Sequence, residues 1–411
     1  MKRILLLILI IIISLFLVDI LMVYISTNIE YKNIKIEKED KFIDEVLNIS
    51  NEEIEKELVN TWYNVITDGK SIILKDILYI NKNIYAFGIN EKENKNIIII
   101  KLDNDGNILF QKEIKVSSST NIYSVENINN NFYILGIQEN KPIIYVINYY
   151  GELLKSRKFE NYGEFFKIIK DDYESIYVLG YIKDDNKKIG VLMEINKDLD
   201  ILNEFKVNWY NNEEIYDLIS DKNYIYLLGN TNSTANNNYN IFVIKLNKLN
   251  YNDYTIQKYG TDILNEIGYS LLYDENNFYI VGYSSTINNF PWKLLIIKTD
   301  NNLNEIQRKD YLLKKSARGL SANVSRNNLI ISGYSLEQNN DFDGFISIVN
   351  KTDLINIKDI YYGKEFDERL LKSKIISNNV IVSVGYQKNN EIISGIILYT
   401  DIDGNLKGFI K

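Results

Sequence analysis

The sequence predicts an all-β fold: a seven-bladed β-propeller of four-stranded antiparallel blades, preceded by an N-terminal transmembrane helix. Three observations carry that expectation. First, a short apolar run ending on glycine recurs seven times, with the glycines at 88, 136, 180, 229, 282, 333 and 385, spaced 48, 44, 49, 53, 51 and 52 residues apart. A near-constant period of this size marks a repeat architecture. Second, each repeat holds four apolar segments punctuated by turn residues. Third, the two middle segments are apolar on both faces and the last one is polar.

The fifth repeat shows the pattern. Its segments are Ile267–Leu272, Phe278–Tyr283, Leu294–Lys298 and Glu305–Lys309, parted by Asp-Glu-Asn-Asn, a Ser/Thr/Asn loop and Asp-Asn-Asn-Leu-Asn. Runs of five or six residues with such punctuation read as an antiparallel meander. Ile97–Ile100 and Ile241–Ile244 lack the in/out alternation of a strand with one wet face, so both faces are covered. Phe110–Lys115 is mostly polar, as an outer edge should be. Blades stacked face to face around an axis satisfy this gradient. A solenoid needs shorter repeats, a sandwich does not give seven equal ones, and no repeat contains a helical stretch of the length an α/β unit needs. The glycine closing each second strand marks a close approach of backbone or of a bulky neighbour, or a bend.

The chain opens with Met1-Lys2-Arg3 and an apolar run from Ile4 to Ile25, broken by Ser14 and Asp19. Its 22 residues, at about 1.5 Å each, just cross a hydrocarbon core of about 30 Å. The basic head predicts a cytoplasmic N-terminus with the remainder outside. Residues 1–26 therefore read as a signal anchor, and the C-terminal domain as extracytoplasmic on the cell membrane. A cleaved signal peptide, giving a secreted protein, is the rival. No small-x-small cleavage site follows, since the first alanine of the chain is Ala86. Residues 27–60 are rich in Lys and Glu, with Ile43, Val46, Leu47, Ile54 and Leu58 near helical spacing, and read as a polar, partly helical spacer. Residues 61–411 form the propeller domain. To close the ring, Thr61–Ile66 could pair with the last blade, whose own outer strand is read as Leu406–Ile410.

Composition narrows the function classes. A net charge of -8 argues against nucleic acid, which needs a positive face to displace counterions. The chain has neither Cys nor His, which excludes disulfides and thiolate chemistry and removes the commonest general base and metal ligand.

Ile99-Ile100-Lys101-Leu102-Asp103 with Gly106-Asn107, Tyr259-Gly260, Gly282-Tyr283 and Ile296-Ile297-Lys298-Thr299-Asp300 resemble the repeats of a diffuse group of bacterial secreted and envelope β-propellers. The resemblance spans residues from about 71 to 411 and concerns architecture. It implies nothing definite about activity, because that group includes binding platforms, assembly factors and enzymes.

The sequence assigns no catalytic residue, no cofactor-binding residue and no metal ligand. Asp103–Asn107 and Asp401–Asn405 look like the start of a calcium loop but lack the distal glutamate, and they fall where a hairpin turn belongs. Asp341–Gly344 reads as a turn in the same way. Glu126, Asp217, Glu266, Asp367 and Glu368 sit in or near first strands and would line the channel, where a pair could serve a glycan hydrolase or lyase. A sialidase-type Ser-x-Asp-x-Gly-x-Thr-Trp turn is absent, as is a glycine-rich phosphate loop. Tyr85, Tyr133, Tyr177, Tyr226 and Tyr279 hold one fixed place in the repeat, which argues for packing between blades over a sugar platform. Asn230–Asn240, Ser284–Trp292 and Ser335–Asp343 are the longest polar loops, occupy consecutive blades and should form a rim on one face. The leading expectation is a non-catalytic platform there for an envelope protein or surface polymer, the alternative a carboxylate-based hydrolase or lyase.

Overall fold

In a computed structural model, the protein is described at residues 59–67, 71–91, 95–117, 120–184, 187–209, 212–232, 238–261, 263–286, 290–337, 340–363 and 366–407. The expected anchor 1–26 and nearly all of the spacer 27–60 lie outside these residues. Among the described residues no helix is long and apolar enough to cross a membrane.

The described chain forms seven four-stranded antiparallel sheets, each in sequence order from inner to outer strand except the last. Blades 1 to 6 span 72–115, 121–158, 164–207, 213–259, 264–311 and 316–362. Blade 7 takes Asp367–Ser377, Val380–Asn389 and Ile392–Asp401 from the C-terminal end and Trp62–Ile66 from the N-terminal end. Each inner strand packs against the inner strands of both neighbours, and the circle closes from blade 7 to blade 1. The wheel is that of a seven-bladed propeller.

Seven apolar clusters hold it, one per junction. Phe87, Phe132 and Ile134 meet between blades 1 and 2, and Leu228, Phe278 and Ile280 between blades 4 and 5. The second and third strands are buried on both faces, so consecutive Ile97–Ile100 are all at 0% exposure. At about 25 cal/mol per Å² of apolar surface, burial shared between blades dominates the driving force. A blade alone would leave both of its faces wet.

Closure departs from one expectation. Trp62–Ile66 does pair with blade 7, Trp62 opposite Tyr399 and Ile66 opposite Gly395. It is therefore the outer strand, and Leu406–Ile410 is not: the edge it would need is already taken. Leu406 instead tucks into the core between blades 6 and 7, Lys407 N donates to Thr61 Oγ1 at 2.7 Å, and 408–410 lie outside the described residues. Trp62 stacks on Tyr399 at 5.2 Å and donates from Nε1 to the Asn104 carbonyl at 2.9 Å, so the two chain ends are also locked to blade 1.

The recurring glycine has a single geometric cause. Every inner strand carries a one-residue β-bulge, at Lys75, Tyr123, Phe166, Tyr216, Tyr269, Leu320 and Leu371. The residue before each bulge lies opposite the glycine, and a bulge pushes its backbone out of the ladder. A Cβ at Gly282 would lie 2.8 Å from the Ile267 carbonyl carbon and closer still to its oxygen. The bulges recur because each inner strand must bend around the axis.

The Asp/Asn turns are capped, as expected for hairpins. Asp103 Oδ1 accepts from Asp105 N at 3.0 Å and Asn107 N at 2.9 Å, and Oδ2 from Asn107 Nδ2 at 2.9 Å. These hydrogen bonds hold the Asp103 carboxyl below the usual carboxylate value. Asp401 repeats the arrangement. The expectation for Asp341–Gly344 is corrected: Asp341 ends a loop and Phe342 already begins the third strand of blade 6, so no turn forms there.

Candidate functional site

The inner strands place two rings of side chains around the axis. The first is the bulged residue of each blade, turned to the channel. Blades 2 to 5 put aromatics there, in a continuous chain of ring contacts: Tyr123 to Phe166 edge to face at 6.3 Å, Phe166 to Tyr216 stacked at 4.5 Å, Tyr216 to Tyr269 edge to face at 5.7 Å. The second ring stands two residues earlier, at the mouth where the second-to-third-strand loops emerge. It reads Ile73, Asn121, Glu164, Glu214, Ile267, Arg318 and Arg369. Opposite the last five stand Tyr181, Asn230, Tyr283, Tyr334 and Tyr386. One register position thus gives an acidic pole on blades 3 and 4, a cationic pole on blades 6 and 7, and an aromatic wall between them.

The cationic pole is unusual in what it lacks. The Arg318 guanidinium carbon lies 3.6 Å from the Trp292 ring centroid and 4.6 Å from that of Tyr283. Its Nη1 donates to Tyr334 Oη over a long 3.4 Å. Among the described residues Arg318 pairs with no carboxylate. Arg369 covers Phe342 at 4.3 Å and Tyr334 at 4.9 Å, with Asp367 Oδ2 no nearer than 3.8 Å. The Nε atoms of both arginines and Nε1 of Trp292 are buried without an acceptor among the described residues. Leaving a buried donor unpaired costs about 1–3 kcal/mol, so three donors with unmet hydrogen-bonding capacity lie behind this side of the mouth.

The acidic pole is satisfied. Glu214 accepts from Lys188 Nζ and from the Tyr216 hydroxyl, and Lys188 also sits 4.6 Å over the Tyr181 ring. Burial raises the Glu164 carboxyl above its ordinary value, with Lys188 opposing and Glu214 adding to it. Burial likewise pushes the Tyr123 phenol up to about 12, and those of Tyr216 and Tyr269 higher. None of these phenols ionises near neutrality, so none is a good base.

The sequence-predicted carboxylates do lie in inner strands, but the structure does not assemble them into a pair. Asp217 is a strap: its Oδ2 accepts from Leu271 N of blade 5 at 2.9 Å, its Oδ1 from Leu218 N at 2.7 Å, and Lys167 of blade 3 pairs with it. Asp76 does the same three blades earlier, from blade 1 to blade 2, accepting from Val125 N at 2.7 Å. Glu266 binds Arg308 and Thr261 N of its own blade's surroundings. Asp367 receives Phe342 N at 2.8 Å, and Glu368 is buried at 3% exposure. Glu126 caps Asn127 N at 2.9 Å, its carboxyl raised by burial and partly offset by Lys374.

Of the second-strand tyrosines, Tyr85, Tyr133, Tyr177, Tyr226 and Tyr279 are all buried, between 2% and 8% exposed, which is packing as expected. The described ends of the three long loops reach the mouth: Tyr239, Trp292 and Phe342 come from them. They also staple neighbours, as Asn230 Nδ2 donates to Gly268 O at 3.1 Å and its Oδ1 accepts from Gly268 N at 2.9 Å. Sequence reasoning missed Arg318 and Arg369 because neither repeats. The signal that could have found them is their position, two residues before the bulge that faces the glycine.

No protein-family model matches this chain, and no curated protein matches its sequence. Solved structures do share the fold. The polysaccharide lyase Uly1 superposes with a TM-score of 0.55 at 8% identity, over 82% of this chain and 91% of that one. Virginiamycin B lyase from Staphylococcus aureus gives 0.54 at 12% identity, over 82% and 98%. The AfRom2 CNH domain gives 0.50 at 8% identity, over 83% and 99%. At such identities the likeness is one of fold.

Proposed function

We propose that this chain is a membrane-anchored, extracytoplasmic binding platform that captures a carboxylate-bearing polymer, of polyuronate type, at the axial mouth between blades 3 and 7. The observation that carries the reading is Arg318: a half-buried guanidinium stacked on Trp292 and Tyr283, with no carboxylate of its own and unsatisfied donors around it. An arginine fork matches a carboxylate in shape and charge. The adjoining aromatic faces suit a sugar ring, which presents C–H groups to the negative face of an aromatic system. The net charge of -8 repels a polyanion at long range, which favours a local, desolvated site over a charged surface. The apolar run from Ile4 to Ile25 supports the anchor.

The test is calorimetric titration of the full-length chain, in a detergent without a sugar headgroup, with trigalacturonate and with its methyl ester. The reading expects the acid to bind at least about 10-fold tighter than the ester, about 1.4 kcal/mol. Equal affinity for the two would overturn it.

A second reading, a hydrolase or lyase on the same ligand, is favoured by the Glu164 carboxyl at the mouth, raised by burial, with Lys188 opposing and Glu214 adding to it. Release of reducing ends or unsaturated uronate from polygalacturonate, lost in Glu164→Gln, would establish it over simple capture.

A further inference from the structure

On the opposite face of the wheel, the junction of blades 4 and 5 is open where those of blades 1 and 2, 3 and 4, and 5 and 6 are filled. We propose that this groove is a second binding site, for a neutral pyranose saccharide chain, distinct from the mouth and independent of the reading above.

The reason lies in one turn position of the repeat, the residue directly after the third strand's terminal Asn or Asp. In blade 2 it is Tyr149, which stacks on Tyr85 of blade 1 at 5.9 Å and donates to Asn127 at 2.9 Å. In blade 4 it is Lys248, which pairs with Asp171 of blade 3 at 2.6 Å and covers Tyr173. In blade 6 it is Lys351, which pairs with Asp274 and Glu275 of blade 5. Each reaches back across the junction and fills it. In blade 5 the position holds Asn301, too short to reach blade 4, and its amide turns to Asn276 of its own blade at 3.3 Å. The space that a long side chain would occupy is a hollow of about 350 Å³.

Its walls are ring faces and planar polar groups. Tyr226 and Phe278 meet at 4.6 Å, Tyr273 and Phe278 at 4.8 Å, and Tyr273 is 49% exposed. Asp221 fixes the floor, accepting from Asn223 N and Tyr224 N at 2.7 Å and from the Tyr226 hydroxyl at 3.2 Å. A second hollow of about 360 Å³ continues outward, sharing Tyr224, Lys245 and Asn302 and running along Tyr254, 41% exposed, and Ile256. Two contiguous hollows of this size suit two or more sugar units in line. Aromatic faces bind the C–H face of a pyranose, while Asp221, Asn302 and Lys245 offer acceptors and donors to its hydroxyls. Lys245 beside Asp221 and, in the outer hollow, Asp253 gives the groove no preference for an anion, unlike the mouth.

The probes are cellohexaose, maltohexaose and chitohexaose, titrated by saturation-transfer NMR against the full-length chain in a sugar-free detergent. Saturable binding of at least one is expected, with Kd below roughly 1 mM. Asn301→Tyr, which restores the plug, and Tyr273→Ala, which removes an exposed ring, should each weaken it by at least about 10-fold. Trigalacturonate binding at the mouth should stay unchanged in both, so failure here and failure of the mouth reading are told apart. The proposal is overturned if none of the three hexasaccharides saturates the chain by roughly 10 mM, or if bound sugar is retained in both variants.

Discussion

Replacing Gly282 by alanine tests why the repeat exists. The new Cβ would stand 2.8 Å from the Ile267 carbonyl carbon and 3.0 Å from Gly268 Cα, with the Ile267 oxygen nearer still. Carbon atoms in contact need about 3.5 Å, so the bulged segment must retreat by roughly 0.7 Å or more. That motion breaks ladder geometry in a strand whose outward side already packs on the neighbouring inner strands. One buried backbone hydrogen bond left unmade costs about 1–3 kcal/mol, and displaced packing brings the total to about 3–5 kcal/mol. For a domain of about 350 residues, with an unfolding entropy near 2.1 cal/mol/K per residue, this lowers Tm by about 5 °C. Differential scanning calorimetry reads it directly. Gly190→Ala is the control: its Cβ would meet only side-chain atoms at 3.1 and 3.4 Å and a carbonyl oxygen at 3.5 Å, and should cost less than about 1 kcal/mol. A Gly282→Ala melt within about 1 °C of wild type would refute the bulge–glycine argument.

Further outcomes follow from the same contacts. Trp62→Ala removes the stack on Tyr399 and the cover of Gly106, and should destabilise by about 2–4 kcal/mol in a chemical denaturation curve, because it opens the ring closure. Asp217→Ala leaves Lys167 and Leu271 N without their acceptor, so stability should fall by about 3 kcal/mol while trigalacturonate affinity is kept. Glu126 and Glu164 hold their protons more tightly folded than unfolded, so their contribution is present below the ordinary value of 4.5 and is lost as pH rises through the raised folded values. The double Glu126→Gln, Glu164→Gln variant should therefore show a flatter fall of Tm above pH 4.5 than wild type.

Much of the wheel was legible in the chain because burial on both faces of two strands per repeat imprints itself as uninterrupted Ile, Val, Leu and Phe. The glycine was legible for the same reason: a backbone contact that tolerates no side chain repeats wherever the bulge repeats. Closure was half legible. Trp62–Ile66 carries a strand's composition but no period, so its pairing competed with Leu406–Ile410 until register decided. The carboxylates were found in the right strands but their partners were not legible, since Asp217 and Glu266 are held by groups that sequence does not bring near. The mouth stayed hidden because Arg318, Trp292 and Tyr283 converge from three segments, and only the propeller's curvature puts a guanidinium between two rings.

The most direct measurement is a titration of Arg318→Met with trigalacturonate, followed by tryptophan fluorescence and calorimetry. Methionine keeps an apolar side chain over Trp292 and deletes the charge and the fork. The account predicts at least about 10-fold weaker binding, with the response of Trp292 lost at ligand concentrations that saturate wild type and the fold intact by circular dichroism. Undiminished affinity in Arg318→Met would contradict the assignment of the mouth as an acidic-ligand site.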